Sequence, residues 1–224
     1  VSNYSGSQSG PNFVQAPIDD TATVRVASPG MAKNVVATAI GGLATTPTSL
    51  ELPIGSTATY RATITVPEST TSGFSVRDTL DSGLAFVSFN SITASPALST
   101  SVPGGFPAVL SAPAVTSSGA GVTAPGRVAT FDFGTLTNAN SDNATAETIE
   151  ITYTVVLLNA PTNTTGAARN NSIQARVAGA NVGSAASASD VRVNEPALSV
   201  AKSVTPSVAD AGDTVTFTIV VSAS

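Results

Sequence analysis

The chain has 224 residues, a net charge of −5 and neither cysteine nor histidine. The acidic balance argues against nucleic acid, whose binding needs a basic surface to displace counterions. Without cysteine or histidine, disulfides, Ser-His-Asp and Cys-His catalysis and structural zinc are excluded.

Charged residues make up only 10% and aromatics 5%, beside 14 prolines and abundant Val, Thr, Ser and Ala, so strands joined by polar loops are expected. Residues 1–21 read as an extended N-terminal segment or the end of a preceding repeat, and Val1 in place of Met fits a removed upstream segment. Strands are predicted at 22–27 and 31–37. In "STATYRATITV" (56–66), Ala58, Tyr60, Ala62, Ile64 and Val66 share one face, with Arg61 and threonines on the other. Strands at 73–80 and 84–92 follow. The Pro/Gly/Ser-rich stretch 93–126 reads as a long crossing loop or insertion with room for one short strand. "RVATFDFGTL" (127–136) groups Ala129, Phe131 and Phe133, and "ETIEITYTVVLL" (147–158) groups Ile149, Ile151, Tyr153, Val155 and Leu157. Further strands are predicted at 171–179, 186–193 and 197–204, with a last apolar one, "TVTFTIVVSAS", ending at Ser224. No segment holds a helical period over three turns. No apolar run approaches the about 18 residues that span a membrane. Threonine-rich outer faces with one apolar face predict an all-β, Ig-like antiparallel β-sandwich.

The chain repeats itself. "VRVASPGMAKNVV" (24–36) is echoed by "VRVNEPALSVAKSV" (191–204), and each copy carries one of the two lysines, Lys33 and Lys202. "IGSTATYRATITV" (54–66) is echoed by "AGDTVTFTIVV" (211–221), aligning Gly55 with Gly212, Tyr60 with Phe217 and Ile64 with Val221. The first copy carries extra residues between its lysine and its glycine. We therefore expect a sandwich repeat over 22–193 and the first strands of a following repeat, or a strand-donating tail, over 194–224. Left bare, the last strand would be an aggregation edge; Val215, Phe217, Ile219 and Val221 are its assembly candidates.

"PALSVAKSVTPSVADAGDTVTFTIVVS" and "RDTLDSGLAFVS" (77–88) resemble the bacterial and archaeal surface-protein repeat called domain of unknown function eleven. The resemblance covers roughly 29–90 and 196–224; it departs from the pattern at Asp81, where proline is usual, and in the insertion after Lys33. It implies tandem Ig-like sandwiches in exported stalks or wall layers, similar to the isopeptide-forming domains of fimbrial subunits.

Strand phase singles out three polar residues. Lys33 alternates with Met31 and Val35, Asp78 with Phe74, Val76 and Leu80, and Asn171 with Ile173, Ala175 and Val177. Lys202 lies in the same phase of its own strand. A buried ammonium is costly unless paired or neutralised. A neutral lysine can attack an asparagine amide while a protonated acid polarises it, giving an intramolecular isopeptide bond. Lys33, Asn171 and Asp78 are the candidates, with Glu147 or Glu150 as alternative acids. The resemblance implies the same placement, with Lys in the first strand and Asn in the last. Two plainer readings are a buried Lys33–Asp78 ion pair and a Lys33 that snorkels at the sandwich edge.

Two weaker signals remain. Asn138, Asn140 and Asp142 alternate in "NANSDNATAE" (138–147), a spacing that suits Ca²⁺ but lacks the loop glycine; the other reading is an Asx-rich hairpin turn. No other cofactor is expected. N-x-[ST] triplets at Asn3, Asn143, Asn163 and Asn170 are candidate glycosylation acceptors.

The expected role is structural rather than enzymatic: an extracellular, cell-surface repeat whose partners are copies of itself or neighbouring repeats. The alternative is an adhesin-type module binding a glycan or host protein through loops 93–126 or 138–147. A carboxylate-pair hydrolase is the third reading, disfavoured because sugar sites usually carry aromatic platforms and the chain has no tryptophan.

Overall fold

The alternation of apolar residues with threonine sets the architecture. A computed structural model describes residues 27–45, 50–116, 126–142, 144–195 and 198–223. One sheet has the order β2 (Leu43–Thr45), β1 (Gly30–Ile40), β4 (Thr57–Val66), β10 (Glu147–Leu157) and β6 (Leu84–Ala94). The second has the order β13 (Ala180–Ser187), β12 (Asn171–Val177), β5 (Ser69–Leu80), β9 (Val128–Asn138) and β7 (Leu98–Thr100), with β8 (Ala114–Thr116) also on β9. A small sheet joins β11 (Ala168–Arg169), β14 (Val191–Val193) and β3 (Glu51–Leu52). All pairings in the two large sheets are antiparallel, as alternation with one buried face demands.

Strand β10 is the clearest case, with every second residue buried along its length. Its inward Ile149, Ile151, Tyr153 and Val155 join Tyr60, Ala62 and Ile64 of β4 in one core. Phe74 and Val76 of β5, Phe131 and Phe133 of β9, and Ile173 and Ala175 of β12 complete that core from the other sheet. Each fully buried phenylalanine contributes about 2–3 kcal/mol. The outward threonines bond across strands: Thr59 Oγ1 lies 3.2 Å from Thr154 Oγ1, and Ser91 Oγ lies 2.6 Å from Thr152 Oγ1. This ladder of hydroxyls lets the outer face stay polar with little charge.

Several expectations need correction. The stretch 93–126 is more than a loop. It holds β7, a helix α1 (Gly105–Ser111) and β8, with both strands on β9. The helix has seven residues, too short to print a period in the sequence. The strand expected at 186–193 divides into the end of β13 and the separate β14. The strand expected at 22–27 and the segment 1–21 lie outside the described residues, as does most of the stretch after β8.

The C-terminal strands β15 (Leu198–Thr205) and β16 (Thr216–Ala223) pair only with each other among the described strands, so the last strand does have a partner in the chain. The hairpin reproduces the register of β1 with β4. Lys33 stands opposite Ala62 and Lys202 opposite Ile219; Val35 stands opposite Tyr60 and Val204 opposite Phe217. The aligned glycines Gly55 and Gly212 share the left-handed conformation, with φ of 85° and 102°. Their turns therefore need glycine at the same place.

Candidate functional site

The three inward polar residues meet in the dry centre of the sandwich. Lys33 sits on β1, beside Ala62 of β4, and reaches across to the second sheet. There Asp78 of β5 lies opposite Ile173, and Asn171 of β12 lies opposite Leu80. The acid and the amide are thus diagonal neighbours on one face, within reach of a single side chain. The side chains of Lys33 and Asp78 are both fully buried, and Asn171 is 1% exposed. Snorkelling at the sandwich edge is therefore corrected: the amine has no route to water.

Lys33 Nζ donates to Asp78 Oδ2, and to Asn171 Oδ1 at 2.6 Å. Tyr153, inward on β10, closes the cluster. Its hydroxyl donates to Asp78 Oδ2 at 2.5 Å and accepts from Asn171 Nδ2 at 3.0 Å. Asp78 Oδ1 is buried without a hydrogen-bond partner. The amine also lies 5.5 Å from the Tyr60 ring centroid and 5.2 Å from that of Tyr153, two rings stacked at 6.0 Å.

Burial governs the electrostatics. Desolvation pulls Lys33 down from 10.5 to about 8, against the opposing pull of Asp78. Desolvation pushes the Asp78 carboxyl up, against Lys33 and the hydrogen bonds of Tyr153 and Asn171. Both shifts lower the cost of moving the proton from ammonium to carboxylate, a step that would set a neutral amine beside the Asn171 amide. The unpartnered Oδ1 points the same way, since a full carboxylate charge would leave it uncompensated. Tyr153 is pushed well above its ordinary value, first by burial and then by Asp78, so its hydroxyl keeps its proton.

The expected trio Lys33, Asp78 and Asn171 is brought together; the alternative acids are not. Glu147 accepts from Asn138 and Asn140, and Glu150 faces Thr63 Oγ1 at 3.5 Å on another face. Asn171 is also not on the last strand of the sandwich, because β13 and β14 follow it. Strand alternation places Tyr153 in the core but does not reveal the contacts of its hydroxyl. A buried tyrosine usually finds a partner for its O–H, and that was the available signal.

The Asn138–Asp142 loop is built of Asx turns. Asn138 Oδ1 accepts from Asn140 N at 3.0 Å, Asn140 Oδ1 from Ser141 N and Asp142 N, and Asp142 Oδ1 from Ala144 N at 2.8 Å. The oxygens that would face a cation hold backbone N–H groups, and among the described residues no group of three His, Cys, Asp or Glu side chains is placed to hold a metal. Asn163 is 2% exposed and its Nδ2 donates to Gly83 O and Leu158 O, so it is no glycan acceptor in the folded chain. Asn170 Nδ2 donates to Ala188 O and Asp190 Oδ1, while Asn3 and Asn143 lie outside the described residues. The assembly candidates are exposed, Val215 by 37%, Phe217 by 58%, Ile219 by 62% and Val221 by 65%. Lys202 is exposed too, its Nζ 4.6 Å from the Phe217 ring centroid. No helix among the described residues is long and apolar enough to cross a membrane.

No family model matches the chain, and no curated protein does. Among solved structures, it is similar to the pilus backbone of Streptococcus pneumoniae, with 18% identity and a TM-score of 0.42 over 67% of this chain and 31% of that one. It is also similar to the major pilin subunit of Bacillus cereus, with 12% identity and a TM-score of 0.40 over 77% and 42%. For the major pilin of Corynebacterium diphtheriae the values are 13% and 0.39 over 82% and 39%. The chain thus spans less than half the length of each.

Proposed function

We propose that the chain is a structural subunit of an exported cell-surface fibre, stalk or wall layer, with a sandwich tied shut by a Lys33–Asn171 isopeptide bond. One observation carries this reading: a buried amine, a carboxyl and a carboxamide from three strands in mutual contact, with the side chains of Lys33 and Asp78 wholly shielded from solvent. Neutral Nζ attacks Asn171 Cγ, the C–Nδ2 bond breaks, and ammonia leaves. The amide that forms joins β1 in one sheet to β12 in the other, so force that would splay the sheets meets a covalent link. No cofactor enters this chemistry. A purely structural ion pair would make the same contacts, and the two readings differ in mass. Under denaturing conditions the intact chain should be lighter than its sequence by one ammonia. An unmodified mass would sink the crosslink.

Assembly falls to the C-terminal hairpin. Its register matches β1 with β4, yet β16 lacks the strand that β10 supplies to β4, and no second sheet covers Phe217 and Ile219 among the described residues. A copy of the chain or a neighbouring repeat adding a strand at β16 would cover that apolar face. Images of the native assembly should show end-to-end filaments that disappear on Ile219→Asp. Filaments that survive this change would exclude assembly through the hairpin.

A further inference from the structure

The crosslinking reaction must protonate its leaving group. An amide nitrogen departs as ammonia only if it gains a proton, and with Lys33, Asp78 and Asn171 all buried the nearest source is a neighbouring side chain. Of the two polar atoms held by the Asn171 carboxamide, Oδ1 faces Lys33 and Nδ2 faces the Tyr153 hydroxyl. The same hydroxyl touches Asp78 Oδ2, which in turn touches Lys33 Nζ. Amine, carboxyl, phenol and leaving nitrogen therefore form an unbroken chain of hydrogen bonds.

We propose that Tyr153 is the general acid of the crosslinking step, passing a proton from Asp78 to Asn171 Nδ2; this rests on the isopeptide reading above. The step starts from neutral Lys33 and protonated Asp78. Nζ bonds to Cγ, the carbonyl electrons move to Oδ1, and Nζ gains positive charge. With Nζ added, Nδ2 is an amine with a free lone pair; the Tyr153 hydroxyl turns from Asp78 Oδ2 to Nδ2, gives it a proton and takes the proton of Asp78. Asp78, now a carboxylate, takes one proton from Nζ. The Oδ1 electrons re-form the carbonyl as the Cγ–Nδ2 bond breaks. Tyr153 ends as a phenol, Asp78 as a neutral acid, and ammonia is the only species released. No external acid, base or oxidant is needed.

Tyr60 supplies the internal control. Its ring stacks on Tyr153 and flanks the same amine, but its buried hydroxyl has no hydrogen-bond partner. Removing either hydroxyl changes the core by one atom, and only one of them touches the reacting amide.

The test follows ammonia loss by intact mass in freshly synthesised full-length chain, for the wild type, Tyr153→Phe and Tyr60→Phe. The relay predicts crosslinking slowed about 100-fold or more in Tyr153→Phe, with Tyr60→Phe near the wild-type rate. A folded Tyr153→Phe that crosslinks at the wild-type rate overturns the relay and leaves the bond intact. A wild type that never loses ammonia overturns both. Should Tyr153→Phe fail to fold, 3-fluorotyrosine placed throughout Tyr60→Phe keeps the core shape and makes the phenol more acidic. Faster crosslinking then supports proton donation by Tyr153, and an unchanged rate overturns it.

Discussion

The two lysine-bearing strand pairs share a register but not an environment. In β1 with β4, Lys33 is 5% exposed and contacts an acid and an amide. In β15 with β16, Lys202 holds the equivalent position and is exposed beside Phe217. Two strands therefore suffice to set which residue stands opposite which, and the turn glycine and alternation encode that locally. The chemistry is not local. Lys33 meets an acid and an amide away from solvent only because β5 and β12 cover it and supply Asp78 and Asn171.

The sharpest way to break this contrast is Asp78→Ala. It leaves the buried amine without its hydrogen-bond partner, at about 1–3 kcal/mol, and also stops crosslinking. The combined loss should approach the whole stability of the domain, seen as unfolding at little or no denaturant. Next comes Asn171→Ala, which keeps the acid but removes the electrophile. The tie spans 138 positions, and by analogy with a disulfide its loss should cost about 5 kcal/mol. The melting temperature should fall by roughly 10–20 °C.

A smaller effect follows from ionisation. In Asn171→Ala the amine survives, and the buried Lys33–Asp78 pair shares one proton, as the same two side chains do in the unfolded chain, so stability should stay nearly flat with pH. In the crosslinked wild type the amine is gone and burial alone pushes the Asp78 carboxyl up. Above the ordinary carboxyl range the folded chain then holds a proton that the unfolded chain lacks, so stability should fall as pH rises, by at most about 1.4 kcal/mol per unit, in denaturant titrations. Smallest of all is Lys202→Ala. An exposed lysine outside any buried network should move the sandwich unfolding midpoint by less than about 0.5 kcal/mol.

Much of the sandwich was legible because alternation is a two-residue signal that strand burial obeys. It gave the faces of β4, β5, β9 and β10, and it marked Lys33, Asp78 and Asn171 as polar residues in apolar phase. Short elements left no such trace. Strands β2, β3 and β11 span two or three residues, and α1 makes under two turns, capped by Gly104 and opening on Gly105. Strand β13 is built of Ala, Ser, Asn and Gly with one Val, so its phase carries little contrast. Tyr153 was hidden for a different reason. Its phase is the same as that of Tyr60, and only the fold distinguishes a hydroxyl that meets Asp78 and Asn171 from one that meets nothing. Asn163 read as a candidate glycosylation acceptor because a triplet motif says nothing of burial.

The central claim is a covalent bond between two named side chains, and peptide mapping tests it directly. Cleavage after arginine should release residues 26–61, which carry Lys33, and residues 170–176, which carry Asn171. The account predicts that these two peptides appear as one joined species, lighter than their sum by ammonia, with fragments that place the link at Lys33 and Asn171. Recovery of both peptides separately at full mass, from natively folded protein, would contradict it.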